Sequence, residues 1–262
     1  EKKNINLLNY YKTNLAKYLP YRGKINSRLS FIIIFILGFF PLKKILKTNK
    51  PDFLIIHLIS SLPLILLILF NFDTKFILRI SGFPKMNFFR KFLWKLAFNK
   101  IHIITCPTEN TLNYMKKLNL TDSSKIKLLY DPVLIVKEIN RKKKQENLKF
   151  KNYFLSVGRL TRQKNFLFLC KAFKKIVDQN KNYKLVIAGE GEDKNKLKNF
   201  IDKNNLNNNI ILLGHVENIY PYFVNSNGFI LSSLWEDPGF VLVEAAFCRK
   251  LVLTSNSWPG PV

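Results

Sequence analysis

Short apolar runs separated by helix-length segments constrain this chain more than any other feature. In the second half they fall at Tyr153–Val157, Lys184–Ala188, Ile210–Leu213, Gly228–Ser232 and Leu251–Thr254. Each is too short for a helix, and each is apolar at successive positions. That is the pattern of a strand covered on both faces. Between the runs the periodicity changes. Phe166, Leu169, Cys170, Phe173, Ile176 and Val177 follow helical spacing, and Asn165 before them is an expected N-cap. Strand alternating with helix builds a parallel sheet with helices on its faces. The first half repeats the pattern, with strands expected at Phe53–Leu58, Lys75–Ile80, Ile101–Thr105 and Ile126–Tyr130 and helices near 87–98 and 108–118. The expectation is two doubly wound α/β domains, residues 1–136 and 151–262. They are joined by a linker at 137–150, where a charge run (Arg141 to Asn147) carries no apolar period. Ligands of such folds bind beyond the carboxyl ends of the strands, here in a cleft between the domains.

The charge is strongly positive, +26 overall, and uneven. Residues 1–150 hold 28 Lys and Arg against 8 Asp and Glu; residues 151–262 hold 15 against 9. Biased base composition accounts for this first, because Lys, Asn, Ile and Phe are all abundant. An anionic membrane surface and nucleic acid are the other partners such charge would suit. No nucleic-acid-binding module is recognisable, so no nucleic acid is expected. Three cysteines (Cys106, Cys170, Cys248) are too few and too scattered for a disulfide framework or a zinc site, and read as buried thiols in a reducing compartment. Phe31–Leu42 is too short to span a bilayer, and Phe53–Phe70 divides into a strand, a turn and a helix from about Leu62. The chain opens on Glu1 and stops at Val262 in mid-pattern, as a piece cut at both ends would.

Two carboxylates, Glu236 and Glu244, bracket the segment Asp237-Pro238-Gly239-Phe240-Val241-Leu242-Val243. The Pro-Gly turn leads into a helical run, so the amides of Gly239, Phe240 and Val241 face out of a helix N-terminus, which attracts phosphate. Ionised carboxylates beside a phosphate make sense as acceptors for hydroxyls, and can grip a diol with two bonds. A phosphate flanked by two polyols describes a nucleoside-diphosphate sugar. Upstream, Arg159 falls just past a strand and Lys164 five residues later, placed to neutralise a diphosphate. Gly189-Glu190-Gly191-Glu192 reads as a plain turn, and His215 as a loop residue able to contact a ligand. No HExxH, paired CxxC, GxSxG or Walker sequence is present, so neither a metal nor a cofactor is expected.

With these residues in hand, the second half resembles the retaining, GT-B-fold glycosyltransferases of family 4 (glycosyl transferases group 1). The resemblance rests on Ser156-Val157-Gly158-Arg159-Leu160 with Lys164-Asn165, Val186 to Gly191, Leu213-Gly214-His215-Val216, and Glu236 through Ala246. It covers nearly all of residues 151–262. It implies two Rossmann-like domains facing a cleft, truncated here at both ends, with an acceptor-side N-terminal domain. It further implies that Arg159 and Lys164 bind the diphosphate, Glu236 the sugar hydroxyls and Glu244 the ribose. The amides of Gly239, Phe240 and Val241 would meet phosphate oxygens, Val216 and its neighbours would lie near the base, and Gly158 and His215 would belong to the same donor site.

The expected function is therefore transfer of a sugar, with retention, from a nucleotide-diphosphate sugar to a hydroxyl of a glycan or lipid-linked acceptor. The setting would be cell-surface polysaccharide synthesis, in the cytoplasm and peripherally on the inner face of the cytoplasmic membrane. Glu236, Arg159 and Lys164 are its expected catalytic residues, and the piece itself is expected to be inactive. An epimerase or hydrolase using the same pocket, or a non-catalytic membrane-surface module, are the competing readings.

Overall fold

The computed structural model describes residues 19, 24–58, 60–84, 86–144, 150–236 and 239–257, with the backbone alone for 24–28. Asp237, Pro238, both chain ends and residues 145–149 of the expected linker lie outside the described residues. The chain divides into two compact units, Glu1–Tyr130 and Asp131–Val262.

The first unit runs α1 (Lys24–Thr48), β1 (Phe53–His57), α2 (Ser61–Leu69), β2 (Lys75–Arg79), α3 (Phe88–Phe98), β3 (Ile103–Cys106), α4 (Glu109–Lys117) and β4 (Ile126–Leu128). Its four strands are parallel and lie in sequence order β1-β2-β3-β4. Side chains alternate across each strand, so Ile56, Phe76, Leu78 and Ile104 enter the core with Leu64, Phe98 and Leu46. Asn87 and Thr108 cap α3 and α4 by accepting from the amides of Arg90 and Thr111. The apolar stretch Phe53–Phe70 is β1 followed by α2, the division the sequence suggests.

The stretch Phe31–Leu42 differs from its reading. It lies inside α1, a 25-residue helix that continues through Pro41 to Thr48. Leu29–Thr48 is long and apolar enough to cross a membrane by length and composition. The apolar run in the sequence stops at Lys43, but the helix does not. Phe35, Phe39, Leu42 and Leu46 supply a continuous core-facing stripe across the break.

The second unit runs α5 (Val136–Lys142), β5 (Tyr153–Val157), α6 (Phe166–Gln179), β6 (Lys184–Ala188), α7 (Lys194–Lys203), β7 (Ile210–Gly214), α8 (Tyr220–Asn225), β8 (Gly228–Leu231), α9 (Phe240–Phe247) and β9 (Val252–Thr254). The segment expected as a linker thus begins with a helix. Ile139 of α5 is buried, and Lys142 and Lys143 are tied to Asn218 and Phe247. One buried apolar residue in a seven-residue helix leaves no visible period. Asn165 stands at the N-cap position of α6 as expected, but in a left-handed conformation and without a side-chain cap bond.

The second sheet is also wholly parallel, in the order β7-β6-β5-β8-β9. Both faces are covered. Leu185 and Ile187 pack with Phe166, Phe173 and Leu197 on one side; Val186, Tyr153 and Leu155 pack with Phe223 and Phe229 on the other. This two-sided burial is why the strands are apolar at successive positions. The order advances outward from β5 to β6 and β7, then returns to place β8 on its other side. The β5–β8 boundary is a topological switch point, where adjacent loops diverge and leave a crevice.

Cys106, Cys170 and Cys248 are free and buried. Burial pushes the Cys170 thiol up to about 12, so at pH 8 it stays protonated and non-nucleophilic. Alkylation of Cys170 by iodoacetamide at pH 8, followed by mass spectrometry, should be slower in the native chain than in urea by on the order of a hundredfold.

Candidate functional site

The loops after β5 and β8 are stitched together at the switch point. Ser232 donates to the carbonyl of Lys164 (2.9 Å), the amide of Leu234 to that of Gln163 (2.8 Å), and the Gln163 side chain to that of Trp235 (3.0 Å). Ser255, after β9, donates to the Ser233 carbonyl at 2.6 Å. These bonds bring together side chains far apart in the chain. Lys164 Nζ meets Glu236 Oε1 at 2.5 Å, in an ion pair whose side chains are only 12% and 5% exposed. Ser233 Oγ donates to the same oxygen. Among the described residues Oε2 of Glu236 has no hydrogen-bond partner. Lys164 and Glu236, expected to hold different parts of a ligand, therefore first hold each other.

The stem of Lys164 lies over Gly158, so close that a Cβ at 158 would sit 3.0 Å from its Cε. Gly158 and Arg159 line a cleft of about 350 Å³ with Val157, Ala188, Gly189, Glu190, His215, Val216 and Ile219. Its floor is the carboxyl end of the sheet. The Gly158 amide donates to Ala188 (3.0 Å) and that of Gly189 to Gly214 (2.7 Å). Four expected site residues, Gly158, Arg159, His215 and Val216, thus share one cleft. The Arg159 side chain is exposed and makes no hydrogen bond or ion pair among the described residues.

The reading of Gly189-Glu190-Gly191 as a plain turn needs correction. Gly189 and Glu190 line the cleft, and a Cβ at Gly189 would lie 1.9 Å from the Gly158 carbonyl oxygen. The backbones after β5 and β6 approach so closely that only glycine fits. Glu190 faces solvent and pairs with Lys194 at 2.8 Å, which offsets its charge.

Glu244 lies within α9 and accepts a 2.9 Å hydrogen bond from Tyr220, at the start of α8. Burial, and then this carboxylate, push the Tyr220 hydroxyl upward in pKa, so it remains a donor. Tyr220 adjoins Ile219 of the cleft wall. Gly239 is the N-cap of α9 at φ 77°, a left-handed position suited to glycine. Phe240 and Val241 begin the helix, whose first amides have no intrahelical partner. These three, like Lys164, Glu236 and Glu244, are not among the cleft-lining residues. Sequence reasoning missed Ser233, Tyr220 and Ile219; each acts through a contact that no local motif announces. Among the described residues no group of three His, Cys, Asp or Glu could hold a metal ion.

In the first unit a smaller cleft of about 190 Å³ opens beyond β1 and β2, lined by Ser60, Arg79, Ser81, Arg90 and Trp94 among others.

Residues 136–262 match the family Glycosyl transferases group 1. Over 242 residues the chain is 31% identical to an uncharacterised glycosyltransferase of Methanocaldococcus jannaschii, covering 85% of this chain and 60% of that protein. Over 171 residues it is 30% identical to the N-acetylgalactosamine-N,N'-diacetylbacillosaminyl-diphospho-undecaprenol 4-alpha-N-acetylgalactosaminyltransferase of Campylobacter jejuni, covering 65% and 46%. The chain thus spans about half to three-fifths of these relatives. Among solved structures, the pneumococcal O-GlcNAc transferase GtfA in complex with UDP and GlcNAc superposes with TM-score 0.66 at 14% identity, covering 85% of this chain and 46% of that one. Anabaena HepE in complex with UDP gives 0.64 at 14%, covering 83% and 63%. At such identity these two show the fold: α/β units built on parallel sheets, as expected. Residues 136–262 are thus similar to the glycosyl transferases group 1 domain, and the chain as a whole is similar to glycosyltransferases.

Gly189→Ala should lower stability by about 3 kcal/mol or more, because the clash is with backbone. Gly228→Ala, whose Cβ would stand 3.2 Å from the nearest atom, should cost less; urea midpoints compare the two.

Proposed function

We propose that this chain belongs to a retaining glycosyltransferase of family 4 that moves a sugar from a nucleoside-diphosphate sugar to a hydroxyl of a lipid-linked glycan. The observation that carries this reading is the cleft beyond the carboxyl ends of β5, β6 and β7, which exposed Arg159 lines together with Gly158, the residue over which Lys164 runs to its buried pair with Glu236. The solved structures with UDP and the relative named for a diphospho-undecaprenol acceptor support it.

In this reading the diphosphate lies across Gly158. Arg159 meets it with a planar fork of donors, and Lys164 has two protons beyond the one given to Glu236. The free amides at the start of α9 add positive potential. These groups stabilise the charge that grows as the C1–O bond to diphosphate breaks. Oε2 of Glu236 accepts a sugar hydroxyl, and Glu244, oriented by Tyr220, accepts from the ribose. His215 and Val216 border the base. With Oε1 held by Lys164 and Ser233, Glu236 positions the sugar rather than attacking it. The acceptor hydroxyl then approaches on the face that the diphosphate leaves. It passes its proton to a diphosphate oxygen as its own oxygen bonds to C1, which retains the configuration without an enzyme nucleophile or a metal. The reaction would take place at the cytoplasmic face of the membrane, where a nucleotide sugar and a lipid-linked acceptor meet.

Ligand-observed NMR on this chain tests the donor site. UDP should bind, and Arg159→Ala should weaken UDP about tenfold or more while leaving uridine unchanged. Glu236→Gln should reduce the preference for UDP-sugar over UDP. Equal UDP affinity in Arg159→Ala would sink the assignment, and product analysis of the complete protein with and without acceptor separates transfer from hydrolysis or epimerisation.

A further inference from the structure

In a water-soluble α/β unit, the helices covering a sheet are apolar inward and polar outward. The first unit breaks this rule on two helices of one layer. On α3, Trp94, Ala97 and Phe98 are buried, which uses one face. The opposite face carries Phe88, Phe89 and Phe92, which are 89%, 73% and 57% exposed, and then Leu96. On α1 the core-facing stripe is matched by a second, outward one: Leu29, Ile32, Ile36 and Phe40 at helical spacing, with Phe40 73% exposed. Helix α2 packs against both, so the two stripes belong to the same layer.

The charge of this layer identifies what would cover it. Helices α1, α2 and α3 contain no acidic residue. Lys47 is exposed at the end of the outward stripe of α1, where Lys43 and Lys47 hold their ammonium groups 3.8 and 5.7 Å from the Phe70 ring, while Lys91 and Lys95 flank Phe88 and Phe92 on α3. A wholly cationic apolar face would repel a second copy of itself. It suits the surface of an anionic bilayer, where the rings enter the headgroup–acyl boundary and the lysines stay with the phosphates.

We propose that the outward face of α1 and α3 docks this unit onto an anionic lipid surface. The docking needs neither donor nor transfer. It rests on the reading above only for its purpose, which is to hold the enzyme where a lipid-linked acceptor is presented.

Sedimentation of the chain with vesicles, without nucleotide, tests it. Binding is expected to vesicles of 30% phosphatidylglycerol in phosphatidylcholine, to fall as salt is raised, and to be weak on phosphatidylcholine alone. Phe88→Ser with Phe92→Ser should lower the partition coefficient by about tenfold or more. Because both rings are exposed, these changes should leave the circular dichroism and melting of the chain intact. Ile36→Ser with Phe40→Ser should act in the same direction. Phe168→Ser, at an exposed position in the other unit, should not. The proposal is overturned if the wild-type chain stays in the supernatant, or if the phenylalanine variants bind as it does. A dimer in analytical ultracentrifugation that Phe88→Ser with Phe92→Ser dissolves would also overturn it, because the face would then serve contact between copies. UDP binding by NMR is read separately, so loss of docking and failure of the transferase reading remain distinct.

Discussion

The candidate site depends on a reversal of strand order. In the second sheet the chain moves outward from β5 through β6 to β7, then crosses back to lay β8 against the other edge of β5. This places the loops after β5 and β8 beside each other, although 72 residues separate Lys164 from Glu236. Without the reversal, a buried carboxylate would have no cation. Breaking a buried pair by removing one partner typically costs about 3–5 kcal/mol, since the survivor keeps its desolvation penalty without compensation. Replacing both by apolar residues would be far milder. The pair is thus weak as an explanation of stability. It makes better sense as an arrangement that fixes one oxygen of Glu236 and leaves the other without a hydrogen-bond partner among the described residues.

The second constraint is the close approach of backbone at the floor of the cleft. Gly158 and Gly189 bring the ends of β5 and β6 together, and the missing side chains leave room at the sheet edge. Lys164 exploits the same vacancy, running its methylenes over Gly158 to reach Glu236. A larger residue at 158 would displace that stem and with it the ion pair. Packing and electrostatics here are one feature, in which glycines just past two strands leave room for a lysine of the β5–α6 loop and so set where its charge meets Glu236.

Much of this fold was legible in the sequence, for physical reasons that also explain the failures. Strands β5 and β6 begin and end where the apolar runs do, because both faces of the sheet are covered. Helix α1 was not legible, because Pro41 and the lysines after it end the apolar run while the core-facing stripe continues. Helix α5 was hidden because a charged seven-residue helix with one buried residue, Ile139, has no period to detect. At the site, Arg159, Lys164, Glu236 and Glu244 could be singled out by residue type and position relative to strand ends. Their pairing could not. The bonds from Ser233 and Tyr220 to the two acids depend on tertiary proximity, and short-range patterns hold no record of it.

The two units differ in how they treat charge. In the second unit the charges at the site are offset locally: Lys164 by Glu236, Glu190 by Lys194, and Glu244 by a neutral donor, Tyr220. Arg159 stands apart from this pattern, so any anion entering the cleft meets a focused positive charge rather than a diffuse one. In the first unit the surplus is spread over helices α1 and α3 with no acidic neighbour on either. Diffuse charge of that kind binds no single ligand tightly, but it sums over a large flat surface. Base composition can enrich lysine throughout a chain. It does not account for phenylalanines standing outward among those lysines on α3, opposite a face that already supplies the core.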